Sequence, residues 1–251
     1  ILSGLVGSEM CIRDRFNIAQ WRAWAPGLES VDAWQAWSRQ PALPENSDAA
    51  PDVSFLPAMQ RRRLSRLARM AFSVGWPLAE GLEQLPLVFI SRHGETPRTF
   101  EILSDLAAEQ PLSPTQFSLS VHNAVIGLWS IMRGETSEMT ALAAAGDGLE
   151  HGLLEAATLL ADGAPHVLLV ITEEQPPEAY ASWIDDVPFP YALGLLLTPG
   201  DDWQLSLGSH DGQTPRAQWP HALNLLRTLL GAQTFCQHAW MNRVWTWQRN
   251  H

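Results

Sequence analysis

The sequence predicts a single layered α/β domain, and three observations support this prediction. Short apolar runs such as LPLVFI (85–90) and HVLLVIT (166–172) have the length and composition of strands buried on both faces. Segments with apolar residues at helical spacing separate these runs, and strands alternating with helices favour parallel pairing inside a layered domain. At 251 residues, the chain is also long enough for one domain with a full hydrophobic core.

The first third of the chain predicts a strand, a loop and a helix. The stretch FNIAQWRAWAPG, beginning at Phe16, predicts an opening strand or extended segment, and a loop rich in Pro, Asn, Asp and Ser follows near residues 41–54. The stretch PAMQRRRLSRLARMAF predicts one helix, which Pro77 and Gly81 end. The apolar residues of this helix recur at helical spacing: Met59, Leu64, Leu67, Met70 and Val74.

The rest of the chain continues the alternation of strands and helices. After LPLVFI we expect helices near 97–109 and 115–133, a strand at MTALAAA, a helix at DGLEHGLLEAATLLAD closed by Gly163, and the strand HVLLVIT. A proline-rich link (175–190) then leads to two further strands, YALGLLLT and WQLSLGS. A helix near 218–230 and a Trp-rich tail, AWMNRVWTWQR, complete the domain.

The composition excludes several classes of function. The net charge of −11, from 27 acidic and 16 basic residues, opposes binding to nucleic acid and to anionic membranes. Every basic residue is Arg, which excludes Schiff-base and P-loop lysine chemistry. The two cysteines, Cys11 and Cys236, have neither CxxC spacing nor neighbouring histidine clusters, so we expect no disulfide framework and no metal site of the zinc type. This cysteine usage fits a reducing cytoplasm.

Residues 1–15, ILSGLVGSEMCIRDR, resemble translated adaptor sequence. We expect them to be a non-native extension of a single domain that covers residues 16–251. The tract is not typical of a signal peptide, because no positive region precedes its short apolar part, which Gly4 and Gly7 interrupt. No later stretch reaches the roughly 18 apolar residues that a membrane span needs, so membrane insertion is not expected.

The segment LVFISRHGETPRT (87–99) raises an enzymatic alternative. Arg92-His93-Gly94-Glu95 resembles the phosphohistidine box of histidine phosphatases, in which His93 would be the nucleophile and Arg92 a phosphate clamp. Residues 136–150 lack the second Arg and the Gln-Thr pair of that family, and a four-residue motif is weak support. We therefore expect a turn at the end of a strand, with Gly94 supplying the bend, and keep the phosphatase as the alternative function.

A longer resemblance extends over nearly the whole chain. The segments that carry it are AWAPGLES, FLPAMQRRRLSRLARMA, SRHGE, PLSPTQFSLSVHNAVIGLWSI and GLLEAATLLADGAPHVLLV. They resemble β-ketoacyl synthase-like amino-terminal domains, in particular the chain length factors of aryl polyene gene clusters. The resemblance implies a thiolase-like half-fold, layered α-β-α, with a mostly parallel mixed sheet of about five strands. It also implies that a helix bearing Asn123 and Gly127 leads to a strand and then to the corner where synthases carry their nucleophilic cysteine.

In this chain the corner lacks that nucleophile. Laid over the family from Asn123, the cysteine position falls on Gly146, with Asp147 beside it and His151 where synthases often have a histidine. A cysteine at such a corner is activated because the N-terminus of the following helix lowers its pKa, whereas glycine has no group to ionise. Complete synthases have a second half that supplies two histidines, and we expect this chain to lack that half.

The resemblance therefore implies a non-catalytic subunit without a cofactor. It would pair with an active ketosynthase as a heterodimer and shape the tunnel that holds the growing acyl chain. The candidates for tunnel or interface lining are Phe117, His122, Asn123, Gly127, Asp147 and His151. The candidates for docking an acidic acyl carrier protein or the ketosynthase are Arg61, Arg62, Arg63, Arg66 and Arg69. The alternative is that these arginines form a solvated helix face.

Overall fold

The computed structural model describes residues 13–45, 48–210, 212–231 and 233–250. In this part of the chain, seven strands form one sheet. The strands are β1 (Arg13–Trp24), β2 (Leu87–Ile90), β3 (Met139–Leu142), β4 (Val167–Glu173), β5 (Tyr191–Ser209), β6 (Phe235–Trp240) and β7 (Arg243–Arg249). The helices are α1 (Val31–Arg39), α2 (Ala58–Arg61), α3 (Arg66–Leu78), α4 (Thr96–Ala107), α5 (Pro114–Ser118), α6 (Ala124–Arg133), α7 (Gly148–Ala161) and α8 (His221–Leu230), with a short 3-10 turn at Glu178–Tyr180.

The sheet is mixed. Its strand order is β3-β2-β4-β5-β7-β6, and β1 pairs with β5. Strand β2 pairs in parallel with β3 and β4, whereas the other four pairings are antiparallel. The long strand β5 joins the two ends of the sheet, because its first half pairs with β4 and its second half with β7. Strand β1 pairs with both halves of β5. The predicted α/β class with a mixed sheet is confirmed, and parallel pairing is confined to the first three strands of this order.

Helices cover both faces of the sheet, which gives the predicted α-β-α layers. In β2, Val88 and Ile90 face one core together with α7 and α8, whereas Leu87 and Phe89 face a second core with α3 and α6. All four side chains of this strand are buried. A strand covered on both faces needs apolar residues at every position, which explains the continuous run in the sequence.

The number of strands differs from the prediction of about five. The segments predicted as two strands, YALGLLLT and WQLSLGS, are the two halves of β5, since residues 199–202 remain within the strand. The Trp-rich tail is a hairpin of β6 and β7, in which Trp245 and Trp247 are fully buried. Their spacing of two residues is the period of a strand with one buried face, so the tail did carry the signal of a strand.

Two predicted helices are divided in the structure. The helix predicted around residues 57–74 is α2 and α3, because the Oγ atom of Ser65 accepts a hydrogen bond from the Ala68 N–H and so begins a new helix. Pro77 lies in the last turn of α3 rather than beyond it. The helix predicted at 115–133 is α5 and α6, where the hydroxyls of Ser118 and Ser120 donate to nearby backbone carbonyls and so compete with continued helix.

The amino-terminal tract lies mostly outside the described residues. Residues 1–12 are not described, so their assignment as a non-native extension stays a prediction. Strand β1 begins at Arg13, which pairs with Ser206, so the sheet begins three residues before the proposed boundary. Among the described residues, no helix combines the length and hydropathy needed to cross a membrane.

The parallel strands bring three connecting segments to one edge of the sheet. Strand β2 leads into Ser91 and the residues that follow it, β3 leads into the corner before α7, and β4 ends at Glu173. In α/β proteins, ligand and catalytic sites gather where parallel strands end at their carboxyl side. A functional site is therefore expected at this edge.

Candidate functional site

Gly146 lies in the corner between β3 and α7. A Cβ atom built on Gly146 would overlap the six-membered ring of Trp240, which belongs to β6. The indole therefore occupies the space that a side chain at residue 146 would need. The corner lacks a nucleophile and also lacks room for one.

Asp147, the residue before α7, is almost completely buried. Its Oδ2 atom accepts hydrogen bonds from Nε of Arg243 at 2.8 Å and from Nε1 of Trp245 at 3.0 Å. His151 lies one turn further, where its ring packs edge-on against Trp245. These contacts attach the β6–β7 hairpin to the start of α7. The carboxylate of Asp147 is thus held by two donors from the hairpin.

Glu150 lies at the centre of a second buried network, and none of its members is among the site residues predicted from the sequence. One of its oxygens is 2.9 Å from Nδ1 of His221, and the other is 2.6 Å from Nδ1 of His238 and 3.1 Å from Nε1 of Trp247. Glu150, His238 and Trp247 are 1% exposed or less. Burial alone would raise the pKa of Glu150, but the two imidazoles hold it well below its ordinary value. Burial lowers the pKa of His238.

Glu150, His221 and His238 are also the described residues with the donor set for a metal ion, since their ligand atoms all lie within 4.8 Å of one another. Each histidine Nδ1 instead bonds a different oxygen of the carboxylate, and the two imidazoles stack with centroids 4.4 Å apart. The nitrogen–oxygen distances of 2.9 and 2.6 Å are those of hydrogen bonds. The geometry thus fits a carboxylate held by N–H donors better than a metal centre.

The Arg92–Glu95 segment is tied into the fold. Arg92 NH1 and His93 Nε2 both contact Asp186, at 2.5 and 3.1 Å, and the His93 side chain is 12% exposed. Burial alone would raise the pKa of Asp186, but its contacts with His93 and Arg92 outweigh burial and lower the pKa to about 2. Gly94 has a φ of +53°, and the ring of His122 lies against it. The segment is a structural turn, because its arginine and histidine are already paired with a carboxylate.

Glu173, at the end of β4, is buried beneath this turn. It accepts hydrogen bonds from Ser91 Oγ and from the backbone N–H of Arg92. Burial raises the pKa of Glu173 to about 7, although the N–H donors oppose the shift. The carboxyl group therefore keeps its proton in the folded state over a pH range in which an exposed Glu would lose it.

This raised pKa predicts a pH dependence of stability. Because the folded state binds the Glu173 proton more tightly than the unfolded chain, the free energy of unfolding should fall as pH rises from about 4.5 to about 7. Glutamine does not titrate, so Glu173→Gln should remove this contribution of about 3 kcal/mol. The free energy of unfolding of the variant, relative to that of the wild type, should therefore be higher at pH 8 than at pH 4 by about that amount. Urea unfolding at both pH values measures the difference. Glu101→Gln, at an exposed position, is the control; an equal effect of Glu173→Gln at both pH values would contradict the prediction.

The tunnel or interface candidates fall into two groups. Asp147 and His151 lie at the corner, as described above, whereas the other four lie on or next to α5 and α6. Phe117 is 66% exposed. His122 Nε2 lies 2.7 Å from the Ser91 carbonyl oxygen, and Asn123 precedes α6 without a side-chain cap. Gly127 has no atom within 4 Å of an added Cβ.

The five candidate docking arginines do not form one free surface. Arg66 donates to the Ala49 carbonyl and lies 3.7 Å from Glu174, and Arg69 donates to the Arg61 and Leu64 carbonyls. These two side chains support the backbone around the break between α2 and α3. Arg62 and Arg63 are exposed, and Arg61 is half-buried.

Together, the fold and the corner define a class: a three-layered α/β domain of thiolase-like architecture in which Trp240 fills the space beside Gly146 at the corner between β3 and α7. The model of the family described as β-ketoacyl synthase, N-terminal domain, matches residues 34–248. The chain belongs to this family.

Solved structures agree with that membership. A structure of a ketosynthase (ApeO) in complex with its chain length factor (ApeC) from Xenorhabdus doucetiae contains a chain with 33% identity and a TM-score of 0.83; the match covers 94% of this chain and 99% of that one. The ishigamide ketosynthase/chain length factor matches with 14% identity and a TM-score of 0.62, covering 80% and 68%. A type II polyketide carrier protein–ketosynthase complex, AntDE:AntF, matches with 13% identity and a TM-score of 0.58, covering 79% and 70%. No curated protein matches the chain.

Because the chain belongs to the synthase family, the phosphatase alternative is rejected. The pairing of Arg92 and His93 with Asp186 gives the physical reason, since a phosphate clamp and a nucleophile would both have to leave that carboxylate.

Proposed function

We propose that the chain is a non-catalytic partner subunit, a chain length factor, that pairs with an active ketosynthase and shapes the pocket for its growing acyl chain. One observation carries the proposal: Gly146, which the family resemblance places at the thiol position of a synthase, lies under the ring of Trp240. A synthase fold that cannot carry the acyl group itself can still supply walls and contacts to a subunit that does.

The comparisons support this proposal through the length of the matched chains. The match covers 99% of the chain from the ApeO–ApeC complex, so the two chains are nearly equal in length. The matches to the ishigamide and AntDE:AntF chains cover only 68–70% of those chains, which are therefore longer. Of these three matches, the one that covers nearly the whole of both chains is to a compact chain from a ketosynthase–chain length factor complex.

The surface offers a region for the ketosynthase. Strand β3 ends the sheet, so one of its edges has no partner strand among the described residues, and its side chains are half-buried. Helix α6 contacts β3, and α4 contacts α5. These three helices and their connections expose large apolar side chains: Leu103, Leu106, Leu112, Phe117, Val121 and Ile131. An unpaired edge beside exposed apolar side chains favours an interface with a partner protein.

The proposal also includes a docking site for an acidic carrier protein at the exposed arginines. Of the arginine cluster, Arg62 and Arg63 are exposed and hold no other part of the described chain in place, so they carry this role more readily than Arg66 and Arg69. A cation pair on a chain of net charge −11 favours an acidic partner at that place.

The proposed mechanism is steric. An acyl chain that outgrows a closed tunnel meets overpacking costs on the order of 1–3 kcal/mol per misfit, which slows further condensation about tenfold or more. The aryl polyene class of product rests on the resemblance of the sequence, and action in the cytoplasm rests on its cysteine usage. The ketosynthase supplies the thiol and the decarboxylating histidines in this scheme.

Co-expression tests the proposal. We expect the tagged chain to co-purify with the ketosynthase encoded in its gene neighbourhood, and the pair, given carrier protein and malonyl donor, to make products whose length the chain sets. Phe117→Asp should weaken the complex about thirtyfold, because burying an unpaired charge in an apolar interface is costly. Leu43→Asp, at an equally exposed apolar residue away from this surface, is the control. A ketosynthase that makes the same products without this chain would overturn the proposal.

A further inference from the structure

Strand β6 lies at the end of the sheet opposite β3, and no described strand pairs with its outer edge. The Arg249 N–H donates to the Thr234 carbonyl, which fixes the phase of the β6–β7 ladder. Because hydrogen-bonded pairs alternate in an antiparallel ladder, Phe235 and Gln237 direct their own N–H and carbonyl groups away from β7. One isolated bridge reaches this edge, at Ala239. The first half of β6 therefore offers open backbone groups to another strand.

A groove of about 730 Å³ runs along this edge. It borders three consecutive residues of β6, Cys236, Gln237 and His238. Successive side chains of a strand point to opposite faces of the sheet, so a groove that meets all three reaches the edge of the strand and not one face alone. Its other walls belong to α1, α8 and the segment 215–218. An extended chain in this groove would lie beside the open backbone groups of β6.

The charge of the groove favours an acidic occupant. None of its described wall residues is acidic, and three of them are arginines that form no ion pair with a described carboxylate: Arg39, Arg216 and Arg227. Arg227 Nε donates to the Ser38 carbonyl, and Arg216 Cζ lies 5.2 Å from the ring centroid of Trp240 in β6. Arg39 and Arg227 belong to the last turns of α1 and α8, and each of these helix ends contributes only about half a negative charge. The groove therefore stays positive on a chain of net charge −11.

We propose that this groove binds an extended acidic segment of a partner protein, which adds a strand to the edge of β6. Backbone hydrogen bonds to Phe235 and Gln237 hold the segment, and its acidic side chains meet the arginines. Phe235 is 50% exposed and offers an apolar contact to the other face of the added strand. Strand β6 contains no lysine, glutamate or proline, residues with which exposed edges resist pairing. The site lies at the far end of the sheet from β3, so it does not depend on the proposed contact with the ketosynthase.

Synthetic peptides test the inference on the full chain. The probe is a fluorescein-labelled peptide of about seven residues, a common strand length, with alternating glutamate and valine, and fluorescence polarisation measures its binding. We expect it to bind at least about tenfold more tightly than the same peptide with glutamine in place of glutamate, and added salt should weaken it. N-methylation of one alternate set of its residues should abolish binding, whereas N-methylation of the other set should not, because only one set of N–H groups in an added strand faces β6.

Variants of the chain locate the peptide. Gln237→Pro removes an outward N–H and should lower the affinity at least about tenfold, whereas Gln237→Thr keeps that N–H and is the matched control. Proline is tolerated in an edge strand where its nitrogen faces away from the ladder. Arg39→Gln should weaken binding about threefold, and Arg62→Gln, at an exposed arginine outside the groove, should leave it unchanged.

Three results would overturn the inference. They are no binding of the acidic peptide, equal affinity for the two N-methylated peptides, and unchanged affinity in a Gln237→Pro variant that circular dichroism shows to be folded. The N-methylated peptides are tested on the wild-type chain, so the outcome does not depend on the folding of any variant. None of these results bears on whether the chain pairs with a ketosynthase.

Discussion

Replacing Glu150 with alanine should lower the free energy of unfolding by about 3–5 kcal/mol. The side chain is fully buried and joins α7, α8 and the β6–β7 hairpin through His221, His238 and Trp247. Its loss would leave three N–H donors in the core without an acceptor, and an unpaired buried polar group costs more than the bond itself contributes. Urea unfolding followed by tryptophan fluorescence measures the change.

Two further variants make this result specific. Glu155→Ala, in the same helix, removes only the hydrogen bond to the Thr140 hydroxyl and should cost no more than about 1 kcal/mol. Glu150→Gln retains one acceptor oxygen and should fall between the two. If Glu150→Ala proved no more harmful than Glu155→Ala, the buried network would not be what holds the hairpin to the domain.

The layered fold was predictable because its signals are local. The buried runs of β2 and β4 and the periodic segments of α4 and α7 lie within about a residue or two of their predicted positions. The errors arose where a local hydrogen bond interrupted a periodic pattern, as at Ser65, or where the pattern was short, as in the hairpin. Periodicity describes which face of an element is apolar, but not where a hydroxyl begins a new helix.

The site was only partly predictable, because its members come from distant parts of the chain. The corner at Gly146 could be located from a family resemblance. Glu150 and His238 are 88 residues apart, and no spacing rule connects them. One signal was available: Glu150 follows Leu149 and lies three residues before Leu153, so the helical pattern places a charged group on a buried face. Trp240 gave no such signal, because its contact with Gly146 depends on how the hairpin folds back.

Gly146→Cys should not create a condensing enzyme, and it should lower the free energy of unfolding by about 1–3 kcal/mol. The new side chain would overlap the ring of Trp240, which would have to move from its place against the corner. The thiol of the introduced cysteine would lie at the start of α7, where a helix N-terminus favours the thiolate. No condensation is expected, because in the proposed division of roles the ketosynthase supplies the decarboxylating histidines.

Matched variants separate the steric effect from the chemical one. Gly127→Cys, on α6 in open space, should change stability by less than about 1 kcal/mol, because helical glycine gains from acquiring a side chain. Combining Gly146→Cys with Trp240→Ala should recover much of the overpacking loss, since the alanine frees the space of the ring, yet still give no condensation from acyl and malonyl carrier proteins. Condensation by the single or the double variant without a partner subunit would show that the corner is a dormant active site, and the proposal of a purely structural subunit would fail. Recovery of stability without activity would instead separate two effects. Gly146 provides no nucleophilic side chain, and the indole of Trp240 fills the space that such a side chain would need.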